Sequence, residues 1–389
     1  MQCDVIIVGG GPAGLAFARA LDDCGLETVL VERQSEEAIA RPRYDGREIA
    51  LTHGSAAILQ RLGAWERFGR EDVAPLRAAR VRNGRSLFGL DFLPPEGGDG
   101  PLGFLVSNHR IRQALYETVK DQAQLRIVCG VGVEAVRAEA QGAHVVLSNG
   151  QMLRGRLLVA ADSRFSGVRA QLGIAAEINR LGRSMLVCRV QHAKPHDAVA
   201  TEWFGYRQTL ALLPLLGNAS SAVLTLPEDL IARLAALSDR ALGEELTRRS
   251  EGLLGAMEVV GSRHVYPLAT TWSRHFAATR AALIGDAAVG MHPVTAHGFN
   301  LGLGGAALLA GGIREAARQG RDPGRNAVLR AYERRQRAAA WPIYTATNLL
   351  VGLYTRESPM ARTARHAVLR LGARLPFFQT GIRNMLMAH

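Results

Sequence analysis

The segment from Met1 to Arg33 constrains this chain more than any other. Cys3 to Val8 is an apolar, β-branched run of strand length, and Gly9-Gly10-Gly11-Pro12-Ala13-Gly14 follows at once. Leu15 to Cys24 then carries apolar residues at helical spacing. Glu27 to Val31 is a second apolar run, and it ends in Glu32-Arg33. Strand, glycine turn, helix, strand and acid in that order form the βαβ fingerprint of dinucleotide binding. Gly9 permits the tight turn off the strand, Gly11 leaves the backbone open to a pyrophosphate, and Gly14 lets the helix pack close to the sheet. Pro12 and Ala13 open the helix, whose free N–H groups and positive dipole end face the phosphates. The Glu32 carboxylate is placed to accept hydrogen bonds from ribose hydroxyls.

At 389 residues, 48% of them hydrophobic, the chain is long enough for two domains with a substantial core. No apolar run reaches the roughly 20 residues that span a bilayer. The first strand begins within three residues of Met1, which leaves no room for a signal peptide and predicts a cytoplasmic protein. Cys3, Cys24, Cys129 and Cys188 are scattered without metal spacing and read as buried reduced thiols, so no metal site is expected. The net charge is +12, carried almost wholly by arginine, since Lys120 and Lys194 are the only lysines. Such charge suits nucleic acid, an anionic membrane or no specific partner. The absence of a recognisable module or aromatic-interleaved basic strip argues against nucleic acid.

Further along, Arg41 to Arg47 is a polar, basic loop in which Arg47 is able to grip a pyrophosphate through its planar fork. A helix is predicted over Ser55 to Phe68, and another to about Lys120 with Asn108 as its cap. Short strands are predicted at Ala78 to Val81, Leu87 to Phe92, Gly103 to Val106, Arg126 to Cys129, Val131 to Val136, His144 to Leu147 and Arg156 to Ala161. From Arg183 to Leu226 the pattern becomes successive strands, Met185 to Val190, Ala198 to Phe204, Leu210 to Leu215 and Ser221 to Leu226. Helical periodicity follows from Glu228 to Glu251. Ala281 to Ile284 is a strand with Gly285-Asp286 at its carboxyl end. A Gly/Ala-rich helix is predicted over Gly298 to Gln319, and helices from Asn326 onward, interrupted near Pro342, Pro359 and Pro376. His192 and His196, near Asp197, read as a solvated loop rather than a metal site.

Three motifs carry a family resemblance: Gly9 to Gly14, Ala161-Asp162-Ser163-Arg164-Phe165-Ser166-Gly167-Val168-Arg169, and Gly285-Asp286-Ala287-Ala288 followed by Pro293 and Gly298-Phe299-Asn300-Leu301-Gly302. With these, the chain resembles the flavin-dependent aromatic hydroxylases of the p-hydroxybenzoate hydroxylase class. Asp45-Gly46-Arg47, Ile49-Ala50-Leu51 and the C-terminal third are most similar to the ubiquinone-biosynthesis group. The resemblance implies an α/β fold, with a Rossmann-like FAD-binding domain, an antiparallel-sheet substrate domain and a helical C-terminus. The boundaries expected are 1–72, 104–182 and 262–325 for the FAD-binding domain, 73–103 and 183–261 for the substrate domain, and 326–389 for the helical region.

The resemblance also implies roles. Asp286, beside Gly285, would bind the flavin ribityl chain. Pro293 and the backbone of Gly298, Phe299 and Asn300 would line the isoalloxazine ring, at a helix N-terminus whose positive potential favours anionic reduced flavin. Arg47 and Arg110 match cofactor-contacting positions, Val133 a position near the adenine, and Asp162 a motif that supports flavin and reductant. The sequence departs from the family pattern at Ser163 (usually Gly), Val289 (usually His) and His297 (usually Gln). No residue is required as a covalent catalyst. In this class reduced flavin captures O2 as a C4a-hydroperoxide that hydroxylates an electron-rich ring, while the protein holds the ring and excludes water. Pro293 and His297 are therefore read as flavin-lining, His297 as a hydrogen-bonding replacement for Gln.

The expected cofactors and co-substrates are FAD, O2 and NAD(P)H or another electron donor. The expected activity is hydroxylation of a polyprenylated ubiquinone precursor. The alternatives are a monooxygenase of a small soluble phenol and a non-catalytic prenyl-lipid-binding assembly subunit. Ser358 to His389 bears Arg362, Arg365, Arg370, Arg374 and Arg383 but no acid, with apolar residues at helical spacing. That pattern suits either an anionic membrane surface, peripheral on the inner face of the cell membrane, or a capping helix on the protein body. Partners expected on this reading are a polyprenylated phenol or quinol, a membrane surface and a ubiquinone-biosynthesis assembly.

Overall fold

Val5–Val8 lies inside a six-stranded sheet and is buried along its whole length. The strands run in the order Ala277–Ala278, Ala281–Leu283, Leu157–Ala160, Val5–Val8, Thr28–Glu32, Leu125–Cys129. All pair in parallel except the short edge strand Ala277–Ala278. Ile6 sits between Leu158 and Val29, which explains why these strands are continuously apolar, since both faces of such a sheet are covered. The structure is a computed structural model describing residues 1–84, 89–93, 100–205, 208–293 and 297–355.

Helix Pro12–Ala20 returns from the first strand with Leu15 and Phe17 fully buried. Helix His297–Arg318 lies against it, and Gly302 fits tightly over the backbone of Gly285. Helix Asn326–Thr355 packs on His297–Arg318, with Gln336 Nε2 donating to the Leu301 carbonyl at 3.0 Å.

A second, eight-stranded sheet runs in the order Val289–Gly290, Met257–Ser273, Ala176–His192, Ala219–Pro227, Gln208–Pro214, Val199–Gly205, Ala78–Asn83, Gly89–Phe92. One face packs on helices Glu228–Ala235 and Asp239–Arg249 through Leu186, Leu210 and Leu224 against Ile231, Leu242 and Leu246. The opposite face looks toward the first sheet.

Several elements differ from the sequence expectation. The strand expected at Met185 to Val190 spans Ala176–His192, because pairing continues through exposed polar residues that carry no alternating signal. Met257–Ser273 is a strand of the same length that the pattern did not reveal. Gly261 and Pro267 break its alternation, and its pairing with Ala176–His192 shifts register between Val260 and Arg263. Asn108 is not a cap: Ser107 precedes the helix Asn108–Val119, and Asn108 is buried and donates from Nδ2 to Asp45. The helix expected over Ser55 to Phe68 ends at Arg61, where Leu62 and left-handed Gly63 lead to a short turn. Helix Asn326–Thr355 continues through Pro342 rather than stopping there. His192 is not solvated; it is buried, with Nδ1 donating to the Lys194 carbonyl (2.8 Å) and Nε2 hydrogen-bonded to Ser220 Oγ (3.0 Å). No group of three metal-ligating side chains occurs among the described residues. All four cysteines are free, Cys3 and Cys188 buried and the other two half-buried. The strand expected from Leu87 lies partly outside the described residues, as do the loop around Pro94 and the basic segment from Ser358.

Candidate active site

The two sheets enclose a cavity of about 660 Å³. Its floor is the glycine turn. Gly9 has a φ of +114°, and a side chain there would collide with the Ala161 carbonyl; a Cβ on Gly14 would lie 1.9 Å from the Gly9 carbonyl oxygen. Gly11, by contrast, faces open space, and no side chain caps the helix that Pro12 and Ala13 begin. This is a cradle with backbone N–H groups at one end and room for a phosphate above it. Glu32 closes the cradle's side: Gly10 N–H donates to Oε2 at 2.6 Å and Gln34 N–H to Oε1 at 2.8 Å. Arg33 is exposed beside it. Val133 begins a strand of a separate three-stranded sheet, and the Val131 N–H nearby donates to the Glu32 carbonyl.

The second widely separated motif meets the first. A Cβ built on Gly285 would lie 3.0 Å from Ala13 Cβ, and Asp286 lines the same cavity as Gly11. Asp286 is fixed by Arg164, whose Nη2 donates to Oδ2 at 3.0 Å while Nη1 donates to the Ala269 carbonyl. Arg169 is buried and donates to the carbonyls of Arg164 and Ala287, at 3.1 and 3.0 Å. The middle motif thus clamps the aspartate motif. Asp162 projects at this junction with one carboxylate oxygen, Oδ1, buried and without a partner. An unmet buried acceptor beside a cavity marks the place of a missing donor.

Pro293, Gly298 and Phe299 form the far wall. Asn300 turns away from it: Nδ2 donates to the Ala50 carbonyl at 2.8 Å and Oδ1 accepts from Thr52 N–H at 3.1 Å, tying the helix to strand Glu48–Leu51. His297 is buried as the helix's first residue and is outside the cavity lining. Buried His292 does line it, and burial followed by the charges of Arg183 and Arg164 lowers its pKa to about 4, so it is neutral at physiological pH. Arg47 lines the cavity and is braced by Asp45 at 3.0 Å. Arg110 is outside the lining, paired with Asp72 at 2.9 Å.

Sequence reasoning assigned no role to Arg164 or Arg169 although both stand in a quoted motif. It also missed Glu202, which lines the cavity from the second sheet. Strand parity would have found it, because Glu202 occupies an inward position in an otherwise apolar strand pattern.

Comparison with known proteins agrees with this geometry. The family model described as an FAD binding domain matches residues 2–347. The chain belongs to this FAD-binding family. Within it, the chain is 44% identical to ubiquinone hydroxylase UbiM of Neisseria meningitidis serogroup C, over 97% of this chain and 82% of that protein. It is 35% identical to ubiquinone hydroxylase UbiL of Rhodospirillum rubrum, over 95% of this chain and 86% of that one. The fold matches p-nitrophenol 4-monooxygenase PnpA of Pseudomonas putida with a TM-score of 0.77 at 18% identity, covering 99% of this chain and 98% of that one. The chain is an FAD-dependent monooxygenase, and the open backbone at Gly11 and the unmet Asp162 oxygen leave room for such a cofactor.

Proposed function

We propose that the chain hydroxylates the aromatic ring of a polyprenylated ubiquinone precursor. The observation that carries this reading is the shared cavity: Gly11, Asp286 and Pro293 on one side, and an apolar sheet wall of Met185, Val187 and Val223 on the other. Its names-alike relatives, the ubiquinone hydroxylases, add the substrate class.

On this reading the backbone at Gly11 to Gly14 holds the pyrophosphate, with Arg47 beside it. Glu32 takes the adenosine ribose and Arg33 and Val133 flank the adenosine end. Gly285 and Asp286 hold the ribityl chain, Asp162 meets the flavin or its reductant, and Pro293, Gly298 and Phe299 face the ring. Arg110, Asn300 and His297 act from outside, by keeping Asp72, strand Glu48–Leu51 and the helix start in place. When bound, the flavin would supply reductive activation of O2, with NAD(P)H or another donor giving the two electrons, so that one oxygen atom could enter the ring and the other leave as water. The protein's own part is to orient that ring and keep water from it. The helix starting at His297 aims its positive end at the flavin wall, where negative charge is stabilised. Residues 1–72, 104–182 and 262–325 serve as the flavin half, and 73–103 and 183–261 as the substrate half, with strand Met257–Ser273 common to both.

A polyprenyl substrate resides in a bilayer. No helix among the described residues is long and apolar enough to cross a membrane. The basic segment from Ser358 is read as the surface contact on the inner face of the cell membrane. Flotation with anionic liposomes tests this: the intact chain should float and a chain ending at Ser358 should not, whereas equal binding removes the membrane contact. Deleting the gene in its host tests the activity. A prenylated, under-hydroxylated quinone precursor should accumulate, and an unchanged quinone pool would contradict the assignment.

A further inference from the structure

The sheet wall of the cavity is a ladder of aligned side chains. Val187, Val223, Ala211, Glu202 and Val81 pair in register across five neighbouring strands, so they form one lateral row. Alternate residues of these strands, Leu186, Leu224, Leu210 and Trp203, pack on the helices behind. Glu202 therefore stands on the cavity face, as the single charged residue in an apolar row. No hydrogen bond or ion pair reaches its carboxyl among the described residues. Ala211, opposite it, is small and leaves the space above the carboxyl open.

A half-buried carboxyl group on an apolar cavity wall, without a partner among the described residues, costs free energy, and nothing in the packing needs it there: a leucine would fill the row. Burial pushes its pKa up to about 8. The group is then mostly neutral at physiological pH, with one O–H to donate and one carbonyl oxygen to accept. A phenol hydroxyl needs the same two partners, one of each kind.

We propose that Glu202 is the polar anchor of the substrate: its carboxyl group hydrogen-bonds the phenolic hydroxyl and so fixes which ring carbon faces the flavin wall. The inference rests on the proposed function and specifies the recognition inside it. The apolar neighbours Val187, Val223 and Leu268 take the ring and the start of its prenyl chain. Orientation comes from the one polar group, as expected where a mainly apolar site carries few polar contacts.

The test uses the full-length, FAD-loaded protein and two probes, an ortho-prenylphenol and its methyl ether, with binding read from the perturbed flavin absorbance. The natural chain should bind the phenol about tenfold or more tightly than the ether. Glu202→Leu should lose that preference by weakening phenol binding alone, at unchanged FAD content. Glu202→Gln, which keeps a donor and an acceptor, should retain it. A natural chain that binds phenol and ether equally overturns the proposal without need of a variant, as does Glu202→Leu binding the phenol undiminished. Failure of the activity reading looks different: the phenol binds, with the preference intact, yet no ring is hydroxylated. If neither probe binds, both readings fall.

Discussion

At the scale of single residues, the site depends on charges held in place by their neighbours. Asp286 is useful because Arg164 holds it from one side, which leaves the other carboxylate oxygen for a ligand. Replacing it by alanine removes that acceptor and strands a guanidinium. Asp286→Ala should therefore lose about 2–3 kcal/mol of FAD affinity, roughly a hundredfold, read as the FAD retained after gel filtration. Full retention would mean that the carboxylate does not touch the cofactor. Glu202 has a pH signature of its own. Its folded-state pKa is raised above the ordinary 4.5 to about 8, so the folded protein holds a proton that the unfolded chain has lost within that window. Its contribution is complete below about 4.5 and is lost as pH rises toward 8. Glu202→Gln should therefore gain stability relative to the natural chain between those values, with no gain in acid, as measured by thermal melts across pH. His292 works in the opposite sense. Its pKa is lowered, so its contribution is present above the ordinary histidine value and is lost as pH falls toward about 4. The two effects occupy opposite ends of the range, although their windows overlap.

At the scale of elements, the molecule is joined by a few cross-braces. Arg169 sits behind the site and holds two carbonyls from distant segments, Arg164 and Ala287. Arg169→Met keeps the bulk and removes the donors, while Thr271 Oγ1 still donates to the Arg164 carbonyl and Ser273 Oγ to that of Ala287, so it should destabilise by about 1–2 kcal/mol in urea unfolding. Helix Asn326–Thr355 carries the opposite kind of feature, a proline inside an unbroken helix. Pro342→Ala should restore one backbone hydrogen bond and relieve the ring's clash with the preceding turn, stabilising by about 1–3 kcal/mol. A lower melting temperature would show that the ring itself packs productively. This element also shows where sequence reading stops. Pro342 suggested a break because local propensity is visible in sequence, whereas the packing of Leu329, Tyr332 and Ala340 that overrides it is not. The first βαβ unit was readable because every part of it obeys local rules: an apolar run, a glycine turn and a helical stripe. Met257–Ser273 was unreadable because its middle residues are exposed and its partners lie far away in the chain.

At the scale of the whole molecule, the glycine cradle belongs to the parallel sheet and the apolar wall to the eight-stranded sheet, and the cavity lies between them. The meeting of Gly11 with Asp286 was foreseeable from motif order. Arg164 and Arg169 were not assigned, because their partners appear only in three dimensions, whereas Glu202 was legible from strand parity and was passed over. A ligand that contacts several segments of the folded chain, and none in the unfolded one, must raise its stability. FAD at about a hundred times its Kd should add about 2.7 kcal/mol, seen as a concentration-dependent rise in Tm. An FAD-independent Tm would place the cofactor elsewhere or nowhere. The most direct measurement of the central claim is the fate of molecular oxygen. FAD-loaded protein is given a reductant, an ortho-prenylphenol and isotopically heavy O2, and the product is weighed by mass spectrometry. The account predicts one heavy oxygen atom on the ring of each hydroxylated product. A product whose new oxygen comes from water, or reductant consumed with the ring untouched, would contradict it.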